Sequence, residues 1–138
     1  MKSVIRRDRV LLGLSAVLFI VSGVLPEHSG PWSYAMFGSS LAMVAVAAAL
    51  RAQRGVSVWR NTAISGVVGS LVVAAPLALI LVLYFLGKGG FIFVPYYSDR
   101  EVPLWVAVLV TVAVPAALFA AAAEIGHLVA SSQRSRRD

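Results

Sequence analysis

Four long apolar stretches divide this chain, and they constrain its fold more than any other feature. They cover residues 10–25, 32–50, 62–87 and 103–130. A helix needs about 20 mostly apolar residues to cross a bilayer, because each residue advances it by about 1.5 Å. Unbroken apolar runs also lack the alternating pattern of a membrane β-barrel strand. The sequence therefore predicts an all-α integral membrane four-helix bundle that forms a single domain over residues 1–138.

The composition fits a chain whose main solvent is lipid. Hydrophobic residues make up 59% of the sequence and charged residues 13%, whereas soluble domains carry about 25% charged residues. Cysteine is absent, which excludes disulfides, thiolate metal sites and cysteine nucleophiles. Ten of the 12 basic residues are Arg. Together with abundant Ala and Val, this is typical of GC-rich prokaryotic coding, and we expect a prokaryotic cytoplasmic membrane.

The basic residues predict the orientation of the chain in that membrane. Ten Lys and Arg residues lie in the tails 1–9 and 131–138 and in the connection 51–61, whereas the other two connections hold two. Because cytoplasmic segments carry the excess of Lys and Arg, both termini are predicted to be cytoplasmic (N-in, C-in). The net charge of +6 is then explained by cytoplasmic retention and anionic lipid. The expected partner is the lipid bilayer, not nucleic acid.

The first apolar stretch has a second interpretation, as a cleaved signal peptide. Its basic flank and short apolar run fit that class of segment. However, Asp8 is unusual in such a flank, and no A-x-A cleavage site follows. A retained first helix is the favoured prediction.

The connection between the third and fourth apolar stretches predicts an irregular, aromatic-rich outer loop. Glycines at 87, 89 and 90 break the helix, and an apolar and aromatic run over 91–97, which includes Tyr96 and Tyr97, follows them. Aromatic rings commonly anchor helices at the headgroup level. The alternative is a cap over the bundle that contacts a partner or lipid, and Tyr96 and Tyr97 are its candidate residues.

Pro76 and Pro115 fall inside the third and fourth apolar stretches. A proline within a helix removes one backbone hydrogen bond and bends the helix. Counted from the helix starts, both prolines are expected near the middle of the bilayer. They are candidates for a transport hinge, although membrane helices also tolerate proline for shape alone.

Two overlapping pairs of small residues lie in the third stretch, Ser65 with Gly69 and Gly66 with Ser70. Such spacing permits close approach of a neighbouring helix. Packing within the chain is the favoured interpretation, and dimerisation is the alternative.

Glu124 and His127 form the one ionisable pair associated with an apolar stretch, and they share a helix face. A di-iron bundle would need a second Glu-x-x-His pair and two more glutamates, which this chain lacks. Acids within a membrane are functional candidates. The alternative is an interfacial Glu124 that reaches water or pairs with Arg51, Arg54 or an Arg of the C-terminal tail.

The loop residues Glu27, His28, Asp99 and Glu101 have no spacing that specifies a metal site. No phosphate loop, nucleophile elbow or zinc motif is present in the sequence. We therefore expect no catalytic, cofactor or metal residues and no enzyme activity. The favoured function is a non-catalytic accessory or interaction subunit of the cell envelope that associates with another membrane protein. The alternative is a transporter or channel for a small solute or ion, acting as a homo-oligomer.

Overall fold

The computed structural model describes residues 2–24, 30–87 and 104–138, which form four α-helices. The helices are α1 (Lys2–Val24), α2 (Gly30–Gln53), α3 (Val58–Phe85) and α4 (Leu104–Ser135). Three stretches of the described residues are long and apolar enough to cross a membrane: Gly30–Gln53, Val58–Leu79 and Val108–Ser135. The prediction of an all-helical fold is thus confirmed for the described residues, and the three apolar helices support a multi-pass membrane protein.

The helices extend beyond the predicted apolar stretches at their charged ends. α1 begins at Lys2 rather than at residue 10, and α4 continues through Ser135 rather than stopping at 130. Arg, Ala and Gln are good helix formers, so the helix does not stop where the apolar run does. α1 is not among the three candidate membrane stretches, and its apolar run of 16 residues falls short of the usual 20 or so.

The predicted aromatic outer loop lies outside the described residues. This applies to Tyr96 and Tyr97, and equally to the loop residues Glu27, His28, Asp99 and Glu101.

The helices pack mainly as three neighbouring pairs, α1 with α2, α2 with α4, and α4 with α3. The buried core consists of Leu12, Val44, Ala47, Ala48, Phe119, Ala122 and Ala123. Phe119 is fully buried, and its ring meets the ring of Phe19 edge to face at 5.4 Å between centroids. Phe119 is thus the one aromatic residue of this core, in which four of the seven residues are Ala.

Small residues let α4 approach its neighbours closely. A side chain on Gly126 would overlap the backbone of Ala45 in α2. A Cβ on Gly69 would lie 2.7 Å from the carbonyl oxygen of Pro115 and 2.9 Å from Cβ of Phe119. The small-residue face of α3 therefore packs against α4 of the same chain, as the favoured interpretation predicted.

The two prolines do not lie at the same level. Both sit within continuous helices, and Pro115 is buried whereas Pro76 is exposed. The carbonyl of Pro115 lies opposite Gly69, which precedes Pro76 by seven residues, or about 10 Å along the helix. Pro76 and Pro115 therefore lie at different levels along the bundle and do not form a level pair of bends.

Two hydrogen bonds join α1 to α2 through serines. Ser40 Oγ donates to the carbonyl of Ser15 at 2.9 Å, and Ser33 Oγ donates to the carbonyl of Ser22 at 2.9 Å. Ser15 and Ser40 are fully buried. These bonds set the antiparallel register of α1 against α2, because each joins fixed positions on the two helices.

A short turn joins α2 to α3. Gly55 adopts φ +84°, while its N–H bonds to the carbonyl of Ala52 and the N–H of Val56 bonds to the carbonyl of Arg51. This pattern is a Schellman motif, which favours glycine at the left-handed position. Ser57 Oγ then accepts a hydrogen bond from the Arg60 N–H and caps the start of α3. The turn brings the ends of α2 and α3 together.

Candidate functional site

The polar groups of the bundle gather at one end, where α1 and α3 begin and α2 and α4 end. We call this the basic end. Asp8 of α1 is buried there and forms an ion pair with Arg54, with Arg54 Nη2 2.9 Å from Asp8 Oδ1. Arg54 also donates from Nε to the carbonyl of Leu50. The pair ties α1 to the end of α2.

Arg51 lies within the bundle at the same end. It is buried, and its Nη2 donates to Ser65 Oγ of α3 at 2.9 Å. Its Nε has no hydrogen-bond partner among the described residues. A buried charge is costly when some of its donors have no partner. Arg51 therefore links α2 to α3 at a higher free-energy cost than apolar packing would have.

Asn61 joins three helices. It is fully buried, and its Nδ2 donates to the carbonyl of Ala48 in α2 at 2.7 Å and lies 3.4 Å from Nδ1 of His127 in α4. Asn61 thereby connects α3 to both α2 and α4 within the bundle.

Glu124 has a very different environment from the other polar residues. Its side chain is exposed, and among the described residues it forms no ion pair. Around it on the outward face of α4, Ile125, Leu128 and Val129 are 60%, 65% and 51% exposed. Glu124 is therefore a single acid on an apolar surface.

The contacts of α4 place Glu124 well inside the bundle's length. Gly126 touches Ala45, which lies eight residues before the end of α2 at Gln53. α2 and α4 run parallel, so Glu124 lies about ten residues, or about 15 Å, from the end of α2. Trp59, which is 82% exposed, lies nearer the basic end, as expected for an interfacial aromatic residue.

Two of the predicted partners of Glu124, Arg51 and Arg54, are engaged elsewhere. Arg54 pairs with Asp8, and Arg51 bonds to Ser65. Glu124 and His127 share one helix, but His127 is half-buried and turned toward Asn61. Residues three apart on a helix differ by about 60° in direction. Glu124 therefore points outward while His127 lies at the edge of the interior, and the structure separates the two residues that the sequence pairs.

Two polar residues of the basic end were missed as structural or functional candidates. Asp8 is the one acid among the basic residues of the N-terminal tail, and Asn61 is the one asparagine of the chain. Their rarity was a usable signal, but neither lies in a motif. Only their positions in the bundle show that both are buried.

Within the described ranges, no group of three or more His, Cys, Asp or Glu side chains could hold a metal ion. The polar contacts of the basic end join helix to helix, and nothing in them resembles a nucleophile with its base.

Comparisons with protein-family models, with curated proteins and with solved structures find no match for this chain.

Proposed function

We propose that this chain is a non-catalytic accessory subunit that associates with another membrane protein through the outward face of α4. The observation that carries the proposal is Glu124, an exposed acid surrounded by Ile125, Leu128 and Val129. An acid that faces lipid is costly, and acids in membrane segments normally pair with another group. A partner helix that brings a basic or hydrogen-bonding side chain to Glu124 removes that cost.

The proposal includes four membrane spans with both termini in the cytoplasm of a prokaryotic cell. α1 is held to α2 by two serine hydrogen bonds and by the Asp8–Arg54 ion pair, which supports a retained first span. Its short apolar run can still cross, because Arg9 extends its aliphatic stem toward the interface. The excess of basic residues at one end supports the inward orientation of that end.

A different protein is a better partner than a second copy of this chain. A two-fold dimer through this face would bring two Glu124 carboxylates toward each other, and like charges in a low-dielectric setting repel. A basic side chain on an unlike partner offers the complementary charge. The expected occupant is therefore a membrane helix that carries Lys, Arg or His at this depth.

Site-specific photo-crosslinking in native membranes tests this association. A benzophenone amino acid at Leu128 should give a discrete adduct with one other membrane protein. The same group at Val17, which is 57% exposed on α1, is the matched control and should give little adduct. Glu124→Gln should reduce the Leu128 adduct several-fold, and Glu124→Asp should preserve most of it.

Three results would contradict the proposal. Equal adducts from Leu128 and Val17 would indicate random encounter in the bilayer, and an adduct insensitive to Glu124→Gln would remove the role of the acid. An adduct of the chain with itself, together with solute flux in liposomes that Glu124→Gln abolishes, would instead establish the homo-oligomeric transporter.

A further inference from the structure

A cleft at the basic end carries an inference separate from the association through Glu124. Its volume is about 750 Å³, and it lies between the α2–α3 turn and the last turns of α4. The polar side chains along it include Gln53, His127, Gln133, Arg134, Arg137 and Asp138. Arg134 and Arg137 are both exposed, so the cleft presents two guanidinium groups beside the carboxylate of Asp138.

His127 adds an imidazole ring to the lining of this cleft. Its Nδ1 faces Asn61, so Nε2 is the ring nitrogen that lies away from that contact. Asn61 is fully buried and bonded to the carbonyl of Ala48, so the ring is held by a rigid interior group. Ala52, Val56 and Ala130 add apolar side chains to the lining of the cleft.

We propose that this cleft binds a phosphate group. Arginine guanidinium groups bind phosphate oxygens in pairs of parallel hydrogen bonds, and the polar side chains of His127 and Gln133 line the cleft beside them. The cleft opens at the end of the bundle where the basic residues meet the membrane surface, which is the level of anionic lipid headgroups. A phospholipid headgroup is one source of the phosphate, and free inorganic phosphate is the other.

Non-specific attraction of basic residues to an anionic membrane predicts a different pattern. In that case each Arg near the surface contributes about equally, and the loss of any one of them lowers the binding affinity roughly fivefold. Arg136 provides the control, because it lies between Arg134 and Arg137 in the sequence, is exposed, and does not line the cleft.

Native mass spectrometry of the full-length protein in detergent, with phosphatidylglycerol or with diacylglycerol, which lacks the phosphate, tests the proposal. We expect phosphatidylglycerol adducts on the wild type, reduced at least tenfold by Arg134→Gln and no more than about twofold by Arg136→Gln. Inorganic phosphate at millimolar concentration distinguishes the two sources. If it displaces the lipid in an Arg134-dependent manner, the site accepts free phosphate as well.

Equal losses in Arg134→Gln and Arg136→Gln, or adducts as frequent with diacylglycerol, which lacks the phosphate, as with phosphatidylglycerol, would overturn the proposal. His127→Phe provides a second variant, which removes the ring nitrogens of His127 and keeps a flat ring. It should weaken phosphatidylglycerol binding several-fold, and a circular dichroism spectrum like that of the wild type checks that the bundle is intact. Unchanged binding in a folded His127→Phe protein would likewise count against the site.

Discussion

A helix of a soluble protein buries its large apolar side chains and exposes polar ones. The two faces of α4 show a different arrangement. The inward face carries small side chains and one ring, and its buried residues are Pro115, Phe119, Ala122, Ala123, Gly126 and Ala130. The outward face carries exposed Ile125, Leu128 and Val129. In lipid, larger aliphatic side chains gain nothing by being buried, whereas small ones let helices approach closely. The comparison teaches that α4 is held by close packing of its backbone and not by removal of large apolar groups from water.

The largest loss of stability is expected from Gly126→Ala on the inward face of α4. An added Cβ would overlap the backbone of Ala45, and neither backbone can yield without separating α2 from α4. We expect destabilisation by about 3 kcal/mol or more, at the upper end for overpacked sites. Unfolding in mixed SDS micelles, followed by circular dichroism, measures it. Gly38→Ala is the control, since nothing lies within 4 Å of its added Cβ, and an equal loss there would break the comparison.

A smaller effect is expected from Gly69→Ala, on the α3 surface that receives the inward face of α4. The new Cβ would lie 2.7 Å from the Pro115 carbonyl oxygen and 2.9 Å from Phe119 Cβ. A shift of α4 can relieve these contacts at a cost of about 1–2 kcal/mol. Gly66→Ala, whose nearest neighbours would lie at 3.8 Å, should be neutral or stabilising by up to about 1 kcal/mol through helix propensity.

The same unfolding assay compares the two glycine variants directly. If Gly66→Ala proved as destabilising as Gly69→Ala, then α3 and α4 would pack in a different register from the one described.

The smallest effect is expected on the outward face, from Leu128→Ala. Its side chain is 65% exposed, and lipid or detergent fills the space that it leaves. The free energy of unfolding should change by no more than about 0.5 kcal/mol. A loss of 2 kcal/mol or more in the purified chain would mean that this face packs against protein in the isolated state, which would remove the contrast between the faces.

Much of the architecture was predictable because it depends on local chemistry. The length of the apolar runs specifies helices in a bilayer, and the positions of Gly55 and Ser57 suit the turn that ends α2 and caps α3. The small-residue spacing around Gly69 predicted close packing, and the structure supplies its partner on α4. The candidate pair of Glu124 and His127 was found by residue type alone. The outward position of Glu124 and the inward position of His127 were not predictable, because they depend on the rotation of α4 about its axis.

By itself, the sequence determined that this protein is helical, apolar along most of its length and basic in its two tails and in the connection 51–61, because each of these properties is carried by neighbouring residues. Only the tertiary structure decided that Asp8 pairs with Arg54, that Asn61 holds His127, and that Glu124 faces outward. These outcomes depend on which helices become neighbours and at what register. Close contact between backbones selects that register, and no short segment of the chain encodes it.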